Sequence, residues 1–139
     1  MNNKKQFTII HLYPKEMNIY GDMGNILTLK VRMQKRGYEV RTINVGPGEL
    51  DPKKLPSGDI YFMGGGQDDD MYKVFEDLSK NKKDFIKGEV EKGKVFLLIC
   101  GAFQLFGKYF LDSGGRQMEG LGLVPVSTKA PSEQLKDRC

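Results

Sequence analysis

The feature that most constrains this chain is an alternation of short apolar runs, each of strand length, with longer stretches whose apolar residues recur at helical spacing. Phe7-Thr-Ile-Ile-His-Leu12 reads as a strand, closed by Pro14. Asp22 stands where it can cap a helix that carries Ile26, Leu29 and Met33 and stops at Gly37. Tyr38 to Val45 alternates with a period of two, as a half-buried strand near a sheet edge does. Asp59-Ile-Tyr-Phe-Met63 is a further strand that runs straight into Gly64-Gly65-Gly66. A helix is expected from Asp68, with Tyr72, Phe75 and Leu78 as its spaced apolar positions. A charged surface helix is expected from about Lys82 to Glu91, weakened by Gly88. Lys94-Val-Phe-Leu-Leu-Ile99 is apolar on both faces, the pattern of a central parallel strand. Ala102 to Phe106 reads as the first turns of a helix stopped by Gly107, and Gly120 to Val126 as a Gly-rich loop or short strand.

This order predicts an α/β fold: a largely parallel sheet with flanking helices and right-handed crossovers. Such sheets bind ligands beyond the carboxyl ends of their strands. Two loops occupy that place, Gly64–Gln67 and Cys100–Gln104.

Composition narrows the function. A chain of 139 residues makes one domain, here read as residues 1–126 followed by a polar tail over 127–139 that has no apolar period. The 22 basic and 18 acidic residues leave a net charge of +4 with no Lys/Arg run, so no nucleic-acid footprint is expected. The longest apolar run, Val95 to Cys100, falls far short of the roughly 18–20 residues of a membrane span. The amino terminus has no small-residue cleavage site, and free cysteines suit a reducing compartment, so a cytoplasmic location is expected. Cys100 and Cys139 are the only cysteines and His11 the only histidine, which excludes a disulfide framework and a metal centre built on several Cys and His.

The strand-to-helix loop Gly64-Gly65-Gly66-Gln67-Asp68 lets backbone amides approach a ligand closely and point at an anion, or is a plain flexible turn. Asp68, Asp69 and Asp70 suit the first turn of a helix better than a metal site, because consecutive helical residues point in different directions. Cys100, at the end of an apolar strand and followed by Gly101-Ala102-Phe103-Gln104, has the setting of a nucleophile on a sharp strand-to-helix turn. The alternative is a buried structural cysteine. Nucleotide loops fail: five residues separate Gly101 from Gly107 where a P-loop has four, and Tyr109 replaces the required Ser or Thr. His11 reads as a satisfied core or strand-end histidine, and Tyr13, Tyr20, Tyr109 and Phe110 are too scattered for base stacking.

The Gly-Gly-Gly loop paired with a Cys-Gly-small-aromatic-Gln elbow resembles class I glutamine amidotransferases. Leu12-Tyr-Pro14 and Asn18-Ile-Tyr-Gly-Asp22-Met-Gly-Asn25 resemble the cobyric-acid-synthase-like branch, most of all the glutaminase subunits of lipid II isoglutaminyl synthases. Gly64 to Asp68, Ile99 to Gly107 and Glu119-Gly-Leu-Gly-Leu123 match that branch in order and spacing, so the likeness covers about residues 7 to 126. It implies a flavodoxin-like three-layer domain, incomplete at its carboxyl end. It further implies Cys100 as the nucleophile on L-glutamine, with Gly65, Gly66 and Gly101 as the oxyanion hole and Gly64 and Gln104 as substrate contacts.

The family's substrate arginine is matched to Arg138, before Cys139, although ungapped counting from Cys100 falls at Gln134. Ala102 stands where the family has glycine. The family's catalytic histidine lies downstream of the Gly-Leu-Gly segment and is not matched here, so this chain alone is expected to be inactive. No cofactor is expected in this chain. The resemblance implies a Mur-ligase-like synthase subunit as partner, carrying ATP and Mg, which uses the ammonia to amidate the D-glutamate of lipid II in peptidoglycan synthesis. Three alternatives stay open: an amidotransferase domain of cobyrinate or cobyric acid synthesis, a non-catalytic binding module, and a Cys-elbow hydrolase or redox sensor.

Overall fold

The computed structural model describes residues 3–131. Its centre is a parallel four-stranded sheet in the order β2-β1-β3-β4, formed by β1 (Gln6–Leu12), β2 (Glu39–Val45), β3 (Ile60–Met63) and β4 (Val95–Leu98). β1 pairs with β2 from Gln6 opposite Glu39 to Leu12 opposite Val45, and with β3 from Ile9 opposite Ile60 to Leu12 opposite Met63. Alternation then sends successive β1 side chains to opposite faces. Ile9 joins Phe62 and Ile26 of α1 (Met23–Lys35) in one small core. Ile10 and Leu12 join Tyr61 and Met63 under the other layer, which contains α2 (Asp68–Asp77), α3 (Lys83–Glu91) and α4 (Gly101–Phe106). This α/β architecture, a parallel sheet with flanking helices, is the one the alternation predicts.

Several local expectations need correction. The strand apolar on both faces, β4, lies at the edge of the described sheet, paired on one side only, with Val95 58% exposed. Apolarity states what a strand requires around it, not which neighbour supplies it. In α2 the buried stripe is Met71, Val74 and, just beyond the helix, Leu78, while Tyr72 and Phe75 are half-buried: Leu78 is as expected, and the two earlier positions each fall one residue before those expected. A π-helical turn, Leu78–Lys82, joins α2 to α3, and Lys82 is buried, not on the surface. A small second sheet, order β6-β5-β7, comprises β5 (Tyr109–Leu111), β6 (Gln117–Glu119) and β7 (Ser127–Lys129). Its strands are three residues each, too short to show a period in the sequence. β7 draws the first residues of the polar stretch into the fold beside β5.

One network ties the helical layer to the sheet. Tyr13, just past β1, has φ +51° and is fully buried. Its hydroxyl donates to Asp77 at 2.5 Å. Asp77 also accepts from Gly48 N–H at 2.8 Å, from Asn81 Nδ2 at 2.7 Å and from the Lys82 ammonium. Lys82 Nζ gives a further proton to Gly48 O at 2.7 Å. Burial pushes the Asp77 carboxyl up, but these donors outweigh it and hold it down at about 2. The Tyr13 phenol is pushed well above its ordinary range by burial and by the carboxylate beside it.

Candidate active site

The site forms where β3 and β4 end. Cys100 follows β4 after one residue, Ile99, with φ +50° and ψ −109°, a left-handed conformation rare for a residue with a Cβ. Such a residue stores about 1–3 kcal/mol of strain, which the surrounding packing must overcome. The result is an elbow: the strand stops, α4 begins at Gly101, and the Cys100 side chain stands exposed between them. Cys100 is therefore not a buried structural cysteine.

α4 has six residues, too few to persist alone. Ala102, Leu105 and Phe106 bury its inner face. Its carboxyl end is closed by the segment after β6, whose Leu121 N–H donates to Leu105 O and whose Leu123 and Val124 N–H groups both donate to Phe106 O. The Gly-Leu-Gly segment thus fixes the elbow from behind.

In front of Cys100 lies the glycine loop. A Cβ on Gly64 would fall 2.4 Å from both Asp22 Cγ and Met17 O, and one on Gly66 would fall 2.5 Å from Met17 Sδ. One on Gly101 would fall 2.7 Å from Met71 Sδ and 3.4 Å from Gly66 N. At Gly64 the Met17 carbonyl and Asp22 leave no room for a side chain, whereas at Gly66 and Gly101 the space is filled by the flexible ends of Met17 and Met71, which would have to shift. Gly65 lies beside Cys100: a Cβ built on it would fall 3.6 Å from Cys100 Cβ and 3.0 Å from the ring of the exposed Tyr20.

The three amides expected to receive an oxyanion are not equivalent. Gly65 N–H donates to Asp22 Oδ2 at 3.2 Å, so it alone of the three has an acceptor among the described residues. Gly66 N–H and Gly101 N–H donate to no acceptor among the described residues. One belongs to the glycine loop and the other to the start of α4, and Gly66 N lies close to Gly101. Gln104 sits half-buried one turn along α4, and its N–H bonds Cys100 O at 3.2 Å. Gly64 acts as a packing position under Asp22. Arg138 lies outside the described residues.

Asp22, expected as a helix cap, makes no side-chain capping bond; Asn18 Oδ1 instead accepts from Met23 N–H at 2.8 Å. Sequence reasoning therefore missed both residues, although the Asn18-to-Asn25 motif that contains them was singled out. His11 is buried as expected but is not satisfied: neither ring nitrogen has a hydrogen-bond partner among the described residues. Burial lowers its pKa, opposed by the charge of Asp22. Asp68, Asp69 and Asp70 occupy the first turn of α2, and no group of three or more His, Cys, Asp or Glu among the described residues is arranged to hold a metal.

A cysteine elbow against a glycine loop, at the carboxyl ends of a parallel sheet, defines an amidotransferase-type α/β domain. The chain belongs to that family: residues 8–139 match the CobB/CobQ-like glutamine amidotransferase domain. It is 33% identical over 130 residues to the lipid II isoglutaminyl synthase (glutamine-hydrolyzing) subunit GatD of Staphylococcus aureus, covering 94% of this chain and 52% of that protein. Against the same subunit of Streptococcus pneumoniae it is 40% identical over 125 residues, covering 88% and 46%. A cobyric acid synthase of Caldanaerobacter subterraneus is 39% identical over 110 residues, covering 70% of this chain and 19% of that enzyme. The chain thus spans about half the length of the two isoglutaminyl synthase subunits.

Proposed function

We propose that this chain is the nucleophile-bearing part of a glutaminase that supplies ammonia to lipid II amidation. The observation that carries this reading is the exposed Cys100 on its strained elbow, packed beside Gly65 of the glycine loop, with the amides of Gly66 and Gly101 close by and without an acceptor among the described residues. The Cys100 sulfur attacks the side-chain amide carbon of L-glutamine. The carbonyl electron pair moves onto oxygen, where the two amides receive it. As the tetrahedral intermediate collapses, the protonated nitrogen leaves as ammonia and a γ-glutamyl thioester remains on Cys100. Water then releases glutamate. Gln104 and Gly64 contact the bound glutamine, and Arg138 completes the contacts.

The ammonia passes to a Mur-ligase-like synthase subunit in the cytoplasm, which supplies ATP and Mg and amidates the D-glutamate of lipid II. The two isoglutaminyl synthase subunits support this acceptor. Likeness to a cobyric acid synthase supports a second reading, with a cobyrinate-type carboxylate as acceptor. No helix among the described residues is long and apolar enough to cross a membrane.

General-base help from an imidazole is worth roughly 10²–10⁴-fold. The one histidine, His11, is buried within β1, so it does not serve Cys100. The 139-residue chain alone is therefore expected to release ammonia from glutamine no faster than its Cys100→Ser variant. Robust release that Cys100→Ser abolishes would overturn this inactivity. Co-purification with the Mur-ligase-like subunit tests the partner, and its absence removes the lipid II reading. Binding unchanged by Cys100→Ala, with no glutamine chemistry in the complex, would instead make this a docking module.

A further inference from the structure

We infer that Asp22 is a positioning residue for the oxyanion site: its carboxylate seizes the Gly65 amide and so turns the next amide, Gly66 N–H, toward the nucleophile. Asp22 occupies the N-cap position of α1, where an aspartate ordinarily accepts from its own helix. Here Asn18 takes over the capping bond to Met23, which frees Asp22 to reach across 43 residues to Gly65. The carboxylate is 2% exposed, and its contact with the bare Cα of Gly64 leaves no room for a side chain there.

On the other side of the loop, Gly65 O accepts from Ile19 N–H at 3.4 Å. The Gly65 peptide groups are thus held from both flanks by the one segment that contains Asn18 and Asp22. Gly65 O and Gly66 N–H share one planar trans peptide, so the Ile19 bond orients Gly66 N–H directly, and the Asp22 bond pins the preceding peptide so that the two dihedrals of Gly65 are held from both ends. Gly65 carries no side chain of its own to impose that orientation. The bond from Asp22 replaces it.

This inference rests on the reading of Cys100 as a glutaminase nucleophile, and two measurements keep the two claims apart. The first is amide hydrogen exchange at Gly64–Gly66 in the purified chain. Asp22→Ala is expected to speed exchange at Gly65 by about tenfold or more, and Asp22→Asn, which retains an acceptor oxygen, by much less. Unchanged Gly65 exchange in Asp22→Ala overturns the inference.

The second compares two reagents at Cys100. With the glutamine chloroketone L-2-amino-4-oxo-5-chloropentanoate, sulfur displaces chloride while the carbonyl oxygen sits at the amides. Iodoacetamide loses iodide to the same sulfur with no such requirement. Asp22→Ala is expected to lower the chloroketone rate about tenfold relative to iodoacetamide, with partial recovery in Asp22→Asn. An equal fall with both reagents marks a merely structural role and overturns the inference. If wild-type Cys100 shows no preference for the chloroketone and glutamine gives no protection, the glutaminase reading fails, and with it the catalytic purpose assigned to Asp22. The exchange data would still report whether Asp22 holds the loop.

Discussion

Asp77 and Asp22 are both drawn into the protein, and they are used in opposite ways. Asp77 gathers four donors, from Tyr13, Gly48, Asn81 and Lys82, and these bind β1, the loop after β2 and the π turn into one block. Asp22 spends its buried charge on the single amide of Gly65. A saturated carboxylate has no freedom and serves as scaffold. A carboxylate with one backbone partner among the described residues, in the loop beside Cys100, is the one proposed to set the direction of a peptide group. Burial alone therefore does not say what an acid is for; the number and kind of its donors separate these two.

The largest effect should come from removing the cation of the saturated network. Lys82→Ala leaves Asp77 without its ion pair, and breaking one partner of such a pair costs about 3–5 kcal/mol. Urea unfolding should show this, and Lys82→Met combined with Asp77→Asn should recover much of it. A loss below about 1 kcal/mol would make the network an ordinary surface contact.

Acid should act next. Asp77 is held at about 2 against 3.8 ordinarily. Its contribution is fully present above pH 3.8 and is lost as pH falls through about 2. A shift of this size is worth about 2 kcal/mol. Asp77→Asn should therefore flatten the acid limb of a stability-against-pH curve; an unchanged limb would contradict the assignment.

The single-partner acid should matter less to stability. Asp22→Ala is expected to cost about 1–3 kcal/mol, below Lys82→Ala, with the loop affected more than the fold. If Asp22→Ala were the more damaging, the contrast between the two acids would be reversed.

The smallest effect should come from His11. Burial depresses its pKa, so the fold favours neutral imidazole. Its contribution is complete above pH 6.5, the ordinary value, and declines as pH falls below it while the unfolded chain takes up the proton. Asp22 opposes the depression, so Asp22→Asn should lower the His11 pKa further, an outcome nuclear magnetic resonance titration can check.

The sheet and the elbow were legible because both are written in local pattern: apolar runs of strand length, and a cysteine between an apolar strand and a glycine. What was not legible depends on partners distant in sequence. Asp22 read as a helix cap because the cap rule looks only at neighbours, whereas Gly65 lies 43 residues away. Lys82 read as surface charge because its carboxylate, though five residues off, meets it only through a π turn. β4 read as central because its composition shows a need for cover on both faces, yet composition names no neighbour. The hairpin of β5 and β6 turns through Asp112–Arg116, whose Arg116 guanidinium stacks 3.7 Å from the Tyr72 ring centroid, a contact invisible until the two elements are placed together.

The proposed glutamine site joins the Cys100 elbow to the amides of Gly66 and Gly101. It is tested most directly by mass-spectrometric labelling of the purified chain with the glutamine chloroketone, in the presence and absence of L-glutamine. The account predicts saturable modification at Cys100, protected by L-glutamine and not by D-glutamine. Modification at the rate of a free thiol, with no protection by either enantiomer, would contradict it.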